Sequence, residues 1–463
     1  MRNLFSVTMI SIAMGTTALA DMTSLKSALE ATYANNPSLA ETRATLRGLD
    51  ENLVSARAGL RPSANGSYSA NATHSHSSST SGSFTKGFSQ TVQLQVSQLI
   101  YDGGRVLGGI NAAELALLAG RENLVAAEQQ VLLNAITSFM DVRAAQATLN
   151  LAENNIRVLE EQVRASQDRF EVGEVTRTDV SQTQARLAAA ISGRETSRAA
   201  LQGQIANYVA NVGEQPHSLM TPAAHPALPK TLAEAERRAL IDHPRVTAAQ
   251  FSVLAAEEDL KVAQKNRIPT VTGVVTGSIG DTSDLSGNFS SPDSSVSVGL
   301  NASIPLYQGG TLSSARRSAA ASLETEQRQL QQAIATTKAN LRTAYYNWEA
   351  AKAAITARQQ QIRASKIAFE GVSEEAKVGA RTTLDVLDAE QDLLSARSEL
   401  VTALRDEQVR AYSVLSEMGA LTAKTLGLNV ELYDPKKFTP KARANSALGA
   451  RRNNLLEKLE KRR

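Results

Sequence analysis

Apolar and polar residues alternate in two short stretches of the chain. In 91–101, Val92, Leu94 and Val96 alternate with Gln93, Gln95 and Ser97. In 295–306, Val296, Val298, Leu300, Ala302, Ile304 and Leu306 alternate with Ser295, Ser297, Gly299, Asn301, Ser303 and Pro305. A period of two puts the apolar set on one face of a strand and small polar groups on the other. Partner strands are read at 63–74 and 270–279, joined by polar loops at 75–87 and 282–293 that are rich in Ser, Gly, Thr and Asp. No further apolar segment is free to cover the sheet.

Elsewhere the period is helical. Residues 104–171 contain no proline, and their glycines lie near the start and at Gly120. At ~1.5 Å per residue that is a helix on the order of 100 Å long. Leu132, Ala135, Phe139, Val142 and Leu149 form a heptad-like seam in it. Near the C-terminus Leu387, Leu394 and Val401 recur every seven residues, with Leu393 and Leu400 alongside. Sevenfold spacing predicts coiled-coil packing, and two adjacent seams predict a helix with neighbours on both sides.

Proline and glycine divide these segments. Short helices at 23–34 and 231–242 end before Pro37 and Pro244, which open second helices at 37–60 and 244–266 because proline fits a helix's first turn. Pro62 and Pro269 end those helices, since the residue before proline is pushed out of the α region. Gly103-Gly104 and Gly309-Gly310 follow the strands and open long helices at 104–171 and 310–377. Val172-Gly173 and Val378-Gly379 break them before last helices at 177–211 and 382–418. These landmarks recur in one order at an offset of 206 or 207 residues, so the chain is a tandem duplication. The first repeat is read as 21–218, with strands about 63–101 and long helices about 104–211. The second is read as 219–425, with strands about 270–308 and long helices about 310–418.

Composition removes most chemistry. The 463 residues include no cysteine and five histidines. Disulfides, thiolate metal sites, a cysteine nucleophile and a lipid-modified N-terminal cysteine are therefore excluded. No dinucleotide fingerprint, P-loop, nucleophile elbow or zinc-protease motif is present. His74-Ser75-His76, read as part of a Ser/Thr-rich loop, offers two ligands only, too few for a zinc site. The reading is not an enzyme, with no catalytic residue, cofactor or metal.

The N-terminus is read as a signal peptide at 1–20. Arg2 precedes a short apolar run, and Ala18-Leu19-Ala20 leads to Asp21. Export without an anchor leaves the periplasm, secretion, or a β-barrel in an outer membrane. The net charge is +3, but the residues from Pro435 onward carry ten Lys/Arg against two Glu. The segment 426–463 is read as a basic, solvated tail, and an exported chain gives no reason to expect a nucleic-acid partner.

Four strands cannot close a barrel, and lipid does not tolerate open sheet edges. Several copies must then share one barrel, with the helices extending from it as a tube.

These features together resemble the TolC family of outer-membrane channel proteins, over about 23–425. The most specific stretch is Val378-Gly379-Ala380-Arg381-Thr382-Thr383-Leu384-Asp385-Val386-Leu387-Asp388, which looks like the family's tunnel-entrance motif. Its counterpart is Val172-Gly173-Glu174-Val175-Thr176-Arg177-Thr178-Asp179-Val180. The resemblance implies an α+β membrane fold. Four strands per chain would contribute to a homotrimeric, twelve-stranded β-barrel in outer-membrane lipid, continued by a long periplasmic α-helical coiled-coil barrel. It implies docking to a periplasmic adaptor and an inner-membrane RND pump or ABC exporter, for efflux of small molecules or type I secretion of proteins.

It also implies residue roles. Asp385 and Asp388 resemble the family's constriction aspartates. Arg381 matches its gate arginine, with Thr178 and Asp179 as partners across neighbouring coils. Val172, Gly173, Val378 and Gly379 match hairpin tips that meet the adaptor. Pro62, Pro269, Gly103, Gly104, Gly309 and Gly310 frame the barrel–tunnel junction. One departure is that Ala376 stands where the family prototype has a gate tyrosine.

From the residues alone, Asp385 and Asp388 share one helix face. If three chains converge, such carboxylates form two stacked rings that favour cations. A solvated helix face, with Arg381 pairing Asp385 at i+4, accounts for the same residues. Two other classes stay open: a periplasmic adaptor, with one hairpin splitting a β-rich domain, and a coiled-coil surface or structural protein.

Overall fold

A computed structural model describes residues 22–76, 84–222, 225–284 and 293–435. The leader read at 1–20 and the chain from 436 onward lie outside the described residues. The first half runs β1 (Met22–Thr23), α1 (Leu25–Asn35), α2 (Pro37–Ala58), β2 (Ser63–His76), β3 (Phe84–Tyr101), α3 (Arg105–Glu171) and α4 (Arg177–Val212). The second runs β4 (Ser218–Leu219), α5 (Leu232–Asp242), α6 (Pro244–Lys265), β5 (Thr270–Asp284), β6 (Asp293–Ser303), α7 (Thr311–Lys377) and α8 (Thr383–Glu417).

The strands form one antiparallel sheet in the order β2-β3-β5-β6, while β1 and β4 make a small parallel pair. Register carries the polarity of the sheet. Ala64, Val96, Val275 and Val298 stand in one row across all four strands, and Asn65, Gln95, Thr276 and Ser297 in the next. One face is therefore apolar and the other polar, and the apolar side chains stand in the open: Val296 and Val298 are each 79% exposed. β2 and β6 leave both outer edges unpaired.

The strands are longer and placed differently than the side-chain pattern suggests. β2 takes in His74-Ser75-His76, so this motif lies in the ladder opposite Phe84–Lys86 and not in a loop. The readings of loops at 75–87 and 282–293 are corrected likewise, since β3 begins at Phe84 and β5 runs to Asp284. Backbone pairing needs no apolar side chain, so a ladder can outrun its apolar face. β6 ends at Ser303, short of Ile304 and Leu306. Pro305 supplies no N–H to a ladder.

The helices form a wall. α3 packs on α2 and α6 over its N-terminal half and on α4 and α8 beyond, while α7 packs on α6 and then α8. Leu132, Ala135, Phe139, Val142 and Leu149 are all buried, as their seam predicts, and join Leu29 of α1, Tyr208 of α4 and Leu415 of α8 in one core. The seam in α8 is corrected. Its buried stripe is Leu387, Glu390, Leu393, Ala396 and Ala403, while Leu394, Leu400 and Val401 stay half-exposed. Within the chain α8 packs on α7 and α3, and its buried stripe, which includes Leu387, follows a three- and four-residue spacing with Leu394, Leu400 and Val401 beside it. α7 is the open side of the wall: its 67 residues bury only Thr337, Leu341, Ala344 and Tyr345.

The tail boundary at 426 is also corrected. Leu428, Val430 and Tyr433 pack against Tyr33, Leu39 and Leu46. The Asn429 amide donates to Glu30 and the Tyr433 amide to the Tyr33 hydroxyl. Arg43 lies between the rings of Tyr33 and Tyr433, at 4.7 and 5.4 Å, where an aromatic face attracts a cation. The chain is thus held to Tyr433 at least.

Gly419 closes α8 with φ +77°, and a Cβ there would stand 2.7 Å from the Asp242 carbonyl and 2.9 Å from the His243 Cα. Both obstacles are backbone and cannot swing away. Gly419→Ala is expected to cost on the order of 3 kcal/mol, from strain and overpacking together. Thermal denaturation of the purified protein checks it, and an unchanged melting temperature would show that the α5–α6 corner yields.

Candidate functional site: the hairpin tips

Both helical hairpins turn in the same way. Gly173 (φ +82°) and Gly379 (φ +77°) take the left-handed conformation after α3 and α7. The Glu174 amide returns to the Arg169 carbonyl and the Ala380 amide to the Glu375 carbonyl, each at 2.9 Å. This six-to-one closure requires the left-handed residue, which glycine adopts without a Cβ penalty. Val172 and Val378 flank the turns and are 71% and 81% exposed.

The return helices begin with matching capping boxes. The Thr176 hydroxyl accepts the Asp179 amide at 3.3 Å, and Asp179 Oδ2 accepts the Thr176 amide at 2.8 Å and its hydroxyl at 2.7 Å. Thr382 and Asp385 repeat the arrangement at 3.2, 2.9 and 2.8 Å. These bonds favour the ionised carboxylate. The Thr176 hydroxyl and then its amide hold the Asp179 carboxyl below the usual range. The Thr382 amide and then its hydroxyl do the same for Asp385.

Asp385 and Asp388 stay on one side of α8, as their spacing predicts, but neither is idle within the chain. Asp388 Oδ1 receives Arg186 Nη2 of α4 at 2.7 Å. Arg381 does not take Asp385 as its hydrogen-bonded partner at i+4. Its Nε donates to Glu375 Oε2 at 2.9 Å across the turn. Glu375 raises the guanidinium's already high pKa, with Asp385 adding through space. Thr178 is exposed on the first turn of α4, beside the capped Asp179. Arg169 Nη2 reaches the carbonyls of Ala376 and Lys377 at 3.4 Å each.

The junction residues sit where the chain turns from sheet to wall. Gly103, Gly104, Gly309 and Gly310 all have positive φ. Asp102 holds the amides of Gly104 and Val106 at 2.8 and 2.7 Å. Pro62 and Pro269 follow matched turns, in which the Arg61 and Ile268 amides return to Ala58 and Lys265 at 2.9 Å.

Sequence reasoning missed Arg169, Arg186 and Glu375 as partners, and both capping threonines. The T-x-x-D spacing at 176–179 and 382–385 is a legible capping signal. The contacts of Arg169 and Arg186 with the second hairpin carry no local signal, because they join segments distant in the chain, whereas Glu375 and Arg381 are only six residues apart. Among the described residues no three His, Asp or Glu side chains come together as metal ligands. No described helix is long and apolar enough to cross a membrane.

A half-apolar sheet with two raw edges, carrying two hairpins whose longer arms run about 100 Å at ~1.5 Å per residue, is one sector of a membrane channel. Residues 28–212 and 236–419 match the sequence profile of the family described as outer membrane efflux protein, and the chain belongs to that family. It is 34% identical over 427 residues to the outer membrane efflux protein BepC of Brucella suis biovar 1, covering 92% of this chain and 91% of the relative. It is 26% identical over 456 residues to the outer membrane protein TolC of Escherichia coli K12, covering 92% and 88%. Its fold matches the crystal structure of the Campylobacter jejuni CmeC outer membrane channel with a TM-score of 0.74 at 16% identity, over 89% of this chain and 88% of that one.

The fold is therefore that of an outer-membrane channel, four strands per chain for a trimeric barrel and a helical barrel below it in the periplasm. The protein is an outer-membrane efflux or secretion channel. Its family consists of channels and not enzymes. The adaptor and coiled-coil surface alternatives are set aside, since this chain has two hairpins and one four-stranded sheet.

Proposed function

We propose that three copies join β6 of one chain to β2 of the next and so close a barrel whose apolar face meets outer-membrane lipid. The rows of apolar and polar residues across the sheet carry this reading, because only closure satisfies both edges while keeping the polar face on water. Asp385 and Asp388 line the narrow end of the tunnel as two carboxylate rings. The Thr382 bonds favour the ionised form of Asp385. Arg381 meets Thr178 and Asp179 of the adjoining coil and holds that end shut.

The exposed Val172 and Val378, beside Gly173 and Gly379, offer the periplasmic adaptor a small apolar surface at each tip. The adaptor links the duct to an inner-membrane RND pump or ABC exporter, and that transporter chooses the cargo.

Single channels in planar bilayers test the rings. Asp385→Asn with Asp388→Asn is expected to lower the cation-to-anion permeability ratio roughly three- to tenfold. An unchanged ratio would remove both aspartates from the constriction. Crosslinking in cells, followed by purification of the channel, is expected to bring an adaptor and an inner-membrane transporter with it. Their absence under conditions of active export would count against docking.

A further inference from the structure

The two hairpins of one chain are tied at their tips by arginines that both come from the first hairpin. Arg186 of α4 reaches Asp388 of α8. Arg169, in the last turn of α3, reaches the last turn of α7. Its Nη2 lies 3.4 Å from the Ala376 carbonyl and 3.4 Å from the Lys377 carbonyl. Its Nε is braced from behind by Glu174 Oε2 at 3.6 Å, across its own turn. One side of the guanidinium is thus fixed to its own hairpin and the other is presented to the neighbouring one.

The target suits a cation. The last carbonyls of a helix lack intrahelical donors and carry the negative end of its dipole. α7 ends at Lys377, whose own ammonium is held by Glu374 at 2.6 Å. The foreign guanidinium of Arg169 lies against the terminal carbonyls instead.

The duplication makes the asymmetry plain. An offset of 206 residues from Arg169 leads to Glu375. Each of the two pairs across its own turn, Arg169 with Glu174 and Glu375 with Arg381. Arg169 also bonds across to the other hairpin. The two halves have diverged to opposite charges at one position.

The contact also falls at Ala376. A methyl side chain offers nothing to hydrogen-bond, but the Ala376 carbonyl, which already accepts the Gly379 amide at 3.2 Å, also receives Arg169 at 3.4 Å. We propose that Arg169 is a positioning residue of the gate, a latch that holds the α7–α8 hairpin against the α3–α4 hairpin of the same chain through main-chain carbonyls. The inference rests on the reading of the tips as a gate. Because the latch ends on backbone, it is independent of the side chain at 376. It is also independent of the Arg381 contacts and of the carboxylate that Arg186 uses. Opening requires the end of α7 to withdraw from the guanidinium.

Purified trimers of Arg169→Ala, Arg169→Lys and Arg381→Ala are compared with the unaltered protein by single-channel conductance in planar bilayers. Losing a hydrogen bond to a charged donor lowers the closed-to-open ratio by about tenfold. Arg169→Ala is therefore expected to raise conductance with trimer melting unchanged. Arg169→Lys, which keeps a positive donor, is expected to recover part of the closed behaviour.

Arg169→Ala conducting like the unaltered protein while Arg381→Ala conducts more would overturn the latch and leave the gate standing. If neither variant changes conductance, the gate reading falls and the latch falls with it. Should Arg169→Ala fail to assemble, Arg169→Met, which keeps the length but has no N–H donor, takes its place: raised conductance supports the latch and unaltered conductance overturns it.

Discussion

Lysine in place of Val298 is expected to abolish outer-membrane assembly, while lysine in place of Ser297 leaves it intact. The two positions are neighbours in β6 and differ only in the face they occupy. Val298 stands in a row with Ala64, Val96 and Val275, and Ser297 in a row with Asn65, Gln95 and Thr276. Val298 lies near the middle of β6 and is 79% exposed in the single chain. A lysine on the lipid face near mid-membrane costs about 2–4 kcal/mol, and a trimer carries three, so roughly 6–12 kcal/mol falls on one barrel. On the polar face the ammonium meets water. The amount of heat-resistant trimer in the outer-membrane fraction reads the difference. Equal assembly of both variants would mean that the apolar row does not face lipid, and assembly of the Val298 variant alone would mean that the sheet is inside out.

Denaturation should show the unaltered protein losing stability as pH rises from about 4.5 to about 7, and Glu390→Gln escaping that loss. Glu390 lies on the buried stripe of α8 between Leu387 and Leu393. Its Oε2 is buried without a hydrogen-bond partner. Burial pushes its pKa from 4.5 to about 7. Between those two values the folded chain holds a proton that the unfolded chain has released, so each step up in pH favours unfolding. The contribution is complete below pH 4.5 and gone above about 7. A shift of this size corresponds to on the order of 3 kcal/mol per chain. Glutamine keeps the shape and cannot ionise, so it should be the more stable side chain at pH 8 and nearly equivalent at pH 4.5. Urea unfolding of both proteins at the two pH values decides the matter. Parallel slopes against pH would show that Glu390 ionises without penalty, through water or a neighbouring subunit.

Much of this architecture is legible in the residues because backbone punctuation is local. Pro37, Pro62, Pro244 and Pro269 act on the next one or two dihedrals, and so do the glycine pairs. Helix starts and ends read from them fall within about two residues of the structure, inside the usual scatter of helix ends. The α3 seam is legible because its residues pack within the chain. The α8 seam misleads because Leu394, Leu400 and Val401 lie half-exposed when one chain stands alone. Residues 426–435 illustrate another limit. Ten basic residues further on dominate the composition of that region, while Leu428, Val430 and Tyr433, the side chains that anchor it, are few.

At the tips, the identity of Asp385 is legible but its first obligation is not. It caps its own helix before it can line anything. The Arg169 contact could not be read from sequence, since a carbonyl acceptor leaves no mark on residue type.

The sparse burial of α7 has a bearing on how copies of this protein are counted in the cell. A helix of 67 residues that fully buries only four side chains leaves much of its surface open until a sister subunit lies against it. A newly exported copy is therefore expected to be cleaved faster than the assembled trimer, which limited proteolysis of the two forms would show. Surplus production would be erased by proteolysis, and the census of finished pores would follow the rate of encounter between subunits.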